Sequence, residues 1–373
     1  MAIVRIDNIH PDKYRWVFMR AGYSEEKAIE AFPLLQGWLS SDKLPTMNQL
    51  QDFARKFYVP FGYLFLNKPP RESLPFPVFR GTAGQNNHLD LNLFDTVKVI
   101  SARQNWLEEY LVENDIDTSS LVGCITLKTP LAEAVEKLRT MLKLPPRWAF
   151  SYGATDTAIG VLTQRLEDAG IFVAYNGVVV NNTHRKLSVS ECRGFALVSK
   201  VAPYIFINSD DSKSAQLFTL IHEAAHIMLD VSACHAGTEM DFNDVNERYC
   251  DMFAAEFLVP ASELRTLWSN DIKLLSRRFK VSEIVIARRA HDLHLLSDDD
   301  YRAFWLEYSN RPLKDSKQSS GGNFYLTSVK RVGRLFAIHV RNAVNNRQMS
   351  YTEAYRLTGL HGNTYQHFMT HNI

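Results

Sequence analysis

Cysteine is scarce in this chain, with 4 residues among 373, and no two of them form a C-x-x-C pair. Cys124, Cys192, Cys234 and Cys250 are scattered along the sequence. This spacing gives no sign of a disulfide framework or of a cysteine-based zinc site. Reduced thiols in a cytoplasmic protein are the simplest interpretation.

The chain also lacks a charge imbalance and a long apolar run. Its 42 Lys and Arg residues nearly balance 41 Asp and Glu residues, for a net charge of +1, so any DNA contact has to come from a local patch. No apolar run approaches the length of a membrane span. Residues 1–16 carry early charges, which argues against a signal peptide. We therefore expect a cytoplasmic protein with no membrane association.

The most informative positive feature is the sequence His-Glu-Ala-Ala-His at 222–226, inside an apolar run that predicts a buried helix. On a helix, His222 and His226 are about 40° apart around the axis and roughly 6 Å apart along it, so both can bind one metal ion. Glu223 lies about 100° away, where it can reach a metal-bound water as a general base. The alternative is a helix with two satisfied core histidines and a surface Glu. Against it, burying such groups unpaired costs several kcal/mol.

A second amphipathic helix is predicted downstream, ending at Pro260, and it carries Glu247 and Asp251 four residues apart on one face. Glu247 can complete a His, His, Glu ligand set that leaves a fourth position open, as a catalytic zinc requires. Asp251 can hydrogen-bond the far nitrogen of a ligand histidine. Asp244 and Glu247 also fit a capping box, so a purely capping role for Glu247 stays open.

Several stretches of this chain resemble the ImmA/IrrE family of metallo-endopeptidases, in the long form with an N-terminal Xre-type helix-turn-helix. The family-like stretches are YVPFGYLFL at 58–66, ECRGF at 191–195, PYIFIN at 203–208, QLFTLIHEAAH at 216–226, ERYCDMFAAEFLVP at 247–260 and GGNFY at 321–325. The resemblance implies an α+β fold with a zincin-like, gluzincin-type core. It also implies that His222, His226 and Glu247 hold Zn²⁺ and that Glu223 is the catalytic base.

The domain organisation follows from composition and from this resemblance. We expect an Xre-like helix-turn-helix domain at 1–68, a proline-rich linker at 69–94, the zincin-like metallopeptidase domain at 95–265, a helical module at 266–310, a linker at 311–322 and a C-terminal helical tail at 323–373. The segment expected to enter a DNA groove, near 34–43, has one Lys and no Arg. This favours an N-terminal domain that docks protein, with DNA contact as the alternative.

Strands are predicted at 170–175, 195–198 and 204–208. The last of these directly precedes the metal helix. It is either an edge strand that pairs with an extended substrate or an interior strand without that role.

Two functions are compatible with these features. In the first, a zinc endopeptidase cleaves a partner protein, a repressor or a toxin–antitoxin component, in mobile-element or stress control. The oxyanion then needs a further donor, for which His235, Tyr204 and Tyr249 are candidates. In the second, the chain is an antitoxin-like or transcriptional regulatory binding protein whose metallopeptidase fold is a sensor or scaffold for a toxin. A latent enzyme, with its site covered by the connection at 230–243, is compatible with either.

Overall fold

A computed structural model describes residues 4–70, 72, 90–117, 119–235, 244–311 and 323–373. The described residues up to Asp95 form one compact unit, and those from Thr96 onward form a second. Most of the two predicted linkers, at 69–94 and 311–322, lies outside the described residues. The first linker is too long at its end, because helix α5 (Leu91–Glu113) already begins at Leu91. Within the described parts of the chain, no helix combines the length and apolar character needed to cross a membrane.

The first unit is built from short helices around an aromatic core. These are α1 (Pro11–Arg20), α2 (Glu25–Ala31), α3 (Leu35–Leu39), α4 (Met47–Lys56) and a 3₁₀ turn at Phe61–Phe65. Ser24 caps α2 through the backbone N–H of Lys27, and Thr46 forms a reciprocal capping box with Gln49 at α4, so both predicted helix starts are confirmed. The buried rings of Tyr14, Trp38 and Phe53 contact one another in tilted and edge-to-face pairs and hold the helices together.

The second unit contains a small mixed sheet whose four strands are β1 (Phe172–Tyr175), β4 (Gly194–Leu197), β5 (Tyr204–Ile207) and β6 (Ala233–His235). A two-stranded hairpin, β2 (Val178–Val179) and β3 (Asn182–Lys186), follows β1. The strand order is β1-β5-β4-β6, with β1 parallel to β5 and the other neighbours antiparallel. The edge-strand hypothesis for 204–208 is therefore wrong, because β5 lies between β1 and β4 and its main-chain groups are already paired.

One face of the sheet packs against the helices that carry the predicted metal ligands. Helix α6 (Leu131–Leu142) and helix α7 (Thr155–Asp168) precede the sheet, and α8 (Lys213–Leu229) and α9 (Val245–Leu258) follow β5. Helix α8 contacts β4, β5 and α9. Ile205 and Ile207 of β5 share one buried apolar cluster with Leu220 and Ala224 of α8. The sheet therefore supports α8 along this face through apolar packing.

Helices from the C-terminal part of the chain cover the other face of the sheet. Four helices come first after α9: α10 (Ala261–Leu267), α11 (Ile272–Phe279), α12 (Glu283–Asp292) and α13 (Asp298–Ser309). The C-terminal helices after these are α14 (Phe324–Val332), α15 (Arg334–Asn345), α16 (Tyr351–Thr358) and α17 (Gly362–His371). Helices α14 and α15 contact β1, and Phe336 packs against Tyr204. Buried Arg103 of α5 donates hydrogen bonds to the carbonyls of Arg331 and Leu357. The last fifty residues therefore complete the core of this unit.

Glu167, at the end of α7, is buried, and its Oε1 accepts a hydrogen bond from the backbone N–H of Leu335 at 3.1 Å. Burial raises the pKa of Glu167 from 4.5 to about 7, although the Leu335 N–H and Arg334 act in the opposite direction. Asp168 adds to the increase. The junction between α7 and α15 therefore contains a carboxyl group that titrates near neutrality.

Gly194 of β4 determines how closely α8 approaches the sheet. A Cβ at this position would lie 2.7 Å from the Thr219 methyl group of α8 and 2.8 Å from the carbonyl oxygen of Phe206. We expect Gly194→Ala to lower the free energy of unfolding by about 1–3 kcal/mol, because a packed core tolerates such overlap poorly. Denaturant unfolding measures the change. Gly160→Ala in α7 is the control, since a Cβ there meets nothing within 4 Å, and we expect it to stabilise the helix by about 0.5–1 kcal/mol. Equal stability of the Gly194→Ala variant and the wild type would contradict this account of the α8–sheet contact.

Glu167 predicts a pH dependence of stability. Its pKa is higher in the folded chain than its ordinary value of 4.5, so the folded form binds the proton more tightly. The stabilising contribution is complete below pH 4.5 and is lost as the pH rises through about 7. Glu167→Gln keeps an acceptor for the Leu335 N–H and removes this loss. At 1.36 kcal/mol per pKa unit, we expect the variant to gain about 3 kcal/mol relative to wild type between about pH 4 and pH 8. Parallel stability curves from urea unfolding would exclude this role.

Candidate metal centre

Helix α8 places the two histidines by its period and its starting point. Ser212 caps the helix by accepting a hydrogen bond from the backbone N–H of Ala215 at 3.3 Å. One turn separates His222 from His226, so both face α9, and both side chains are fully buried. The imidazoles therefore meet away from bulk water, at the contact between α8 and α9.

The His222, His226 and Glu247 side chains converge on a common point. The two Nε2 atoms lie 3.1 Å apart, Glu247 Oε2 lies 3.1 Å from His222 Nε2, and Glu247 Oε1 lies 3.1 Å from His226 Nε2. In a tetrahedral zinc site with bonds of 2.0–2.1 Å, neighbouring ligand atoms are about 3.3 Å apart. These three residues form a group that could hold one metal ion.

Asp251, one turn after Glu247 on α9, orients one of the imidazoles. Its Oδ1 lies 3.0 Å from His222 Nδ1, which places the ring proton on Nδ1. The lone pair of His222 Nε2 then faces the carboxylate of Glu247, and two acceptors at 3.1 Å repel each other unless a cation lies between them. The donor set therefore fits a bound cation.

The electrostatics of His222 agree with this. Burial alone lowers the pKa of its imidazole, but the carboxylates of Asp251 and Glu247 outweigh burial and raise the pKa well above its ordinary value. The centre therefore favours positive charge, which either a second proton on His222 or a metal cation would supply.

Glu223 lies beside this group and is not part of it. Its side chain is fully buried, and neither carboxylate oxygen has a hydrogen-bond partner among the described residues. Burial raises the pKa of Glu223 well above its ordinary value, His222 counteracts this, and Glu247 reinforces it. A buried carboxyl without a partner costs free energy, so this arrangement is typical of a group reserved for chemistry.

The two alternatives for Glu247 are distinguished by the side chain of Asp244. Asp244 Oδ1 accepts hydrogen bonds from the backbone N–H groups of Asn246 at 2.7 Å and Glu247 at 3.4 Å, so Asp244 caps α9. The carboxylate of Glu247 is directed at the two histidines instead. Glu247 therefore belongs to the group that could hold a metal ion.

Two oxyanion candidates have hydroxyl groups that donate elsewhere. Tyr204 lies on the face of β5 opposite Ile205, and its hydroxyl donates to the carbonyl of Val332 at 3.4 Å, so it is not directed at the centre. The hydroxyl of Tyr249 donates to the carbonyl of Thr129 at 3.1 Å. For His235, the structure describes only the backbone within β6. Residues 236–243, most of the connection proposed to cover the site, lie outside the described residues.

The sequence reasoning missed a pair of thiols near the centre. The sulfur atoms of Cys192 and Cys234 are 3.5 Å apart and both side chains are buried. Their spacing of 42 residues carries no signal, because the contact arises from pairing of β4 with β6. The hydrogen bond with Cys192 is the larger cause and burial the second, and both raise the pKa of Cys234 well above its ordinary value. Cys234 is therefore kept as a thiol.

Comparison with known families adds independent support. Residues 166–291, about a third of the chain, match the Peptidase_M78 family model, described as the IrrE N-terminal-like domain. Residues 332–371 match a domain of unknown function (DUF8813). No curated protein matches the chain. The matched stretch contains the entire His222, His226 and Glu247 group. Together the match and the geometry support the ImmA/IrrE family and a metallopeptidase-like domain in this protein.

Proposed function

We propose that the protein is a zinc-dependent endopeptidase that cleaves a partner protein in limited, regulatory proteolysis. The observation that carries this proposal is the combination of three residues that could hold a metal ion with an adjacent buried carboxyl that has no hydrogen-bond partner among the described residues. A structural zinc is usually held by four protein ligands, whereas three ligands leave a position for water or substrate.

In the proposed mechanism, His222, His226 and Glu247 would hold a zinc ion, and Asp251 would fix the tautomer of His222. The ion would supply activation of a water molecule and polarisation of a carbonyl group. Glu223 accepts the proton from the attacking water and passes it to the nitrogen of the leaving amine. Burial, reinforced by the Glu247 carboxylate, raises the pKa of Glu223 well above its ordinary value, so Glu223 holds that proton for the second step.

Two features support a restricted target over general digestion. The side chains of His222, Glu223 and His226 are fully buried in this structure, which disfavours casual access by unrelated polypeptides. The described residues up to Asp95 also form a separate compact unit, which does not carry His222, His226 or Glu247. We propose that this unit docks the partner, a repressor or a toxin–antitoxin component, and DNA contact is the lesser alternative. The exposed Met19, Leu34 and Met47 side chains of this unit offer apolar contact area.

Metal content tests the ligand set. We expect about one zinc per chain in the wild type by elemental mass spectrometry, and none in His222→Ala, because two remaining ligands do not retain the ion. Asp251→Asn keeps the ligands but removes the carboxylate on Nδ1, so we expect zinc affinity to fall by about 10–100-fold.

His294→Ala is the matched control for this measurement, because His294 is exposed and lies outside the three-residue group. It should retain the wild-type zinc content. Equal zinc in His222→Ala and wild type would show that the metal binds elsewhere.

The catalytic role of Glu223 is tested by Glu223→Gln. This variant keeps the metal ligands but cannot accept a proton, so we expect zinc to be retained and cleavage to fall by about 10²–10⁴-fold or more. The measurement is a comparison of newly formed protein N-termini, by mass spectrometry, in the native cells expressing wild type or variant. A few new N-termini should appear with wild type and be absent with Glu223→Gln.

Glu136→Gln, at an exposed position of α6, makes the same chemical change away from the centre and should behave as wild type. The same N-termini in zinc-loaded Glu223→Gln would refute the mechanism. Their absence with wild type would refute the endopeptidase proposal itself.

A further inference from the structure

A second site is present at the opposite end of α8 from the metal centre. A cavity of about 340 Å³ lies among α7, β1, the first turn of α8 and the junction of α14 with α15. This volume is in the range of small-molecule sites, about 300–1,000 Å³. Lys213 lines the cavity at the start of α8, and His222 is nine residues further along, about 13 Å on the helix axis. The cavity is therefore separate from the proposed peptidase chemistry.

One part of the cavity wall is apolar. Ile159 of α7, Val173 of β1 and Val329 of α14 contribute aliphatic side chains. Gly160 of α7 also lines the cavity, and a Cβ at this position would meet no atom within 4 Å, so the space beside it is open. This wall suits a compact hydrocarbon body.

The rim of the cavity is cationic. Lys213, Lys330 and Arg334 line it from three different helices. Asp156 lies 3.4 Å from the Lys213 ammonium and 3.1 Å from that of Lys330, which holds both near the opening. Three cations beside Asp156 leave a local excess of positive charge, especially when Glu167 is protonated. An anionic group is favoured there.

The inner polar groups restrict the ligand further. The Thr163 hydroxyl and the Tyr175 hydroxyl are 2.7 Å apart and hydrogen-bond each other, and Glu167 Oε1 already accepts from the Leu335 N–H. Glu167 has a pKa of about 7 because it is buried, so it adds little negative charge below neutrality. Below neutrality the inner part of the cavity is therefore nearly uncharged, and the charged side chains lie at the rim.

The junction of α14 with α15 borders this cavity, and its backbone conformation is constrained at one residue. Gly333, between α14 and α15, has φ +88°, and a Cβ there would lie 2.7 Å from the carbonyl oxygen of Val173. This close approach brings Lys330 and Arg334 to the cavity. Glu167, Val173 and Lys213 belong to the stretch that matches the peptidase family, whereas Gly333 and Arg334 belong to the stretch that matches a domain of unknown function. Both matched stretches contribute to the cavity lining, and Ile159, Val329 and Lys330 contribute from outside them.

We propose that this cavity binds a small monocarboxylic acid with a compact apolar body. The carboxylate lies at the rim with Lys213, Lys330 and Arg334, and the apolar body lies against Ile159, Val173 and Val329. The positive excess at the rim accommodates one carboxylate, and the apolar wall gives a bare inorganic anion nothing to pack against.

Thermal unfolding of the full chain tests the proposal, with hexanoate and phenylacetate as probes and their neutral amides as matched ligands. We expect at least one of the two acids at millimolar concentration to raise Tm by about 2 °C or more, because binding to the folded state alone stabilises it. The amides and inorganic phosphate should leave Tm unchanged. Isothermal titration calorimetry should show one site per chain.

Two variants locate the site. Gly160→Leu fills the open space in the cavity, so we expect it to abolish the Tm response. Thr157→Leu adds the same side chain to α7 at an exposed position that does not line the cavity, and should respond as wild type. Arg334→Met removes rim charge and should weaken acid binding by about tenfold or more without filling the cavity.

Other outcomes overturn the proposal. These are no response to either acid, an equal response to acid and amide, a response to phosphate, or full binding in both Gly160→Leu and Arg334→Met. Zinc content, measured on the same samples, should match wild type in all three variants. Because binding is read without any cleavage assay, failure of the peptidase mechanism would leave this result unaffected.

Discussion

Burial of ionisable groups between α8 and α9 is the constraint on which the rest of this structure depends. His222, Glu223 and His226 have no exposed surface, and Glu247 and Asp251 come from the facing helix. Such a group costs free energy unless its members are paired or hold a cation. The apolar packing of α8 against the sheet offsets that cost, and it also stops the ligands from separating. Gly194 is part of this arrangement, because only a residue without a side chain lets α8 lie so close to β4.

The sheet therefore has two functions in this fold. On one face it supports α8, through Ile205 and Ile207, and on the other it is covered by α14 and α15. The C-terminal helices therefore pack on the opposite face of the sheet from α8, and the junction of α14 and α15 at Gly333 packs directly on β1. The cavity beside this junction and the His222, His226 and Glu247 group therefore lie at different points along one helix, α8.

Local sequence was sufficient for most of the helices and for the metal group. Ser24 and Thr46 begin helices because their side chains satisfy backbone N–H groups a few residues away, an interaction that needs no tertiary structure. The spacing of His222 and His226 determines a shared face for the same reason. Glu247 and Asp251 were predicted from a second helix, and the fold brings that helix to the first because both are apolar on the facing side. Strand positions at β1, β4 and β5 were also readable from their apolar runs, to within one or two residues.

The sequence by itself determined the periodic features of this protein: capped helices, a pair of histidines on one helical face, and short buried strands. Only the tertiary structure decided which strands are neighbours, since pairing of β5 with β1 and β4 depends on contacts between distant residues. That pairing turned Tyr204 away from the metal centre and placed β5 inside the sheet, and the pairing of β4 with β6 brought Cys192 to Cys234. It also created the cavity among α7, β1, α8 and the C-terminal helices. Local periodicity specifies the face on which a side chain lies, and long-range packing specifies what that face meets.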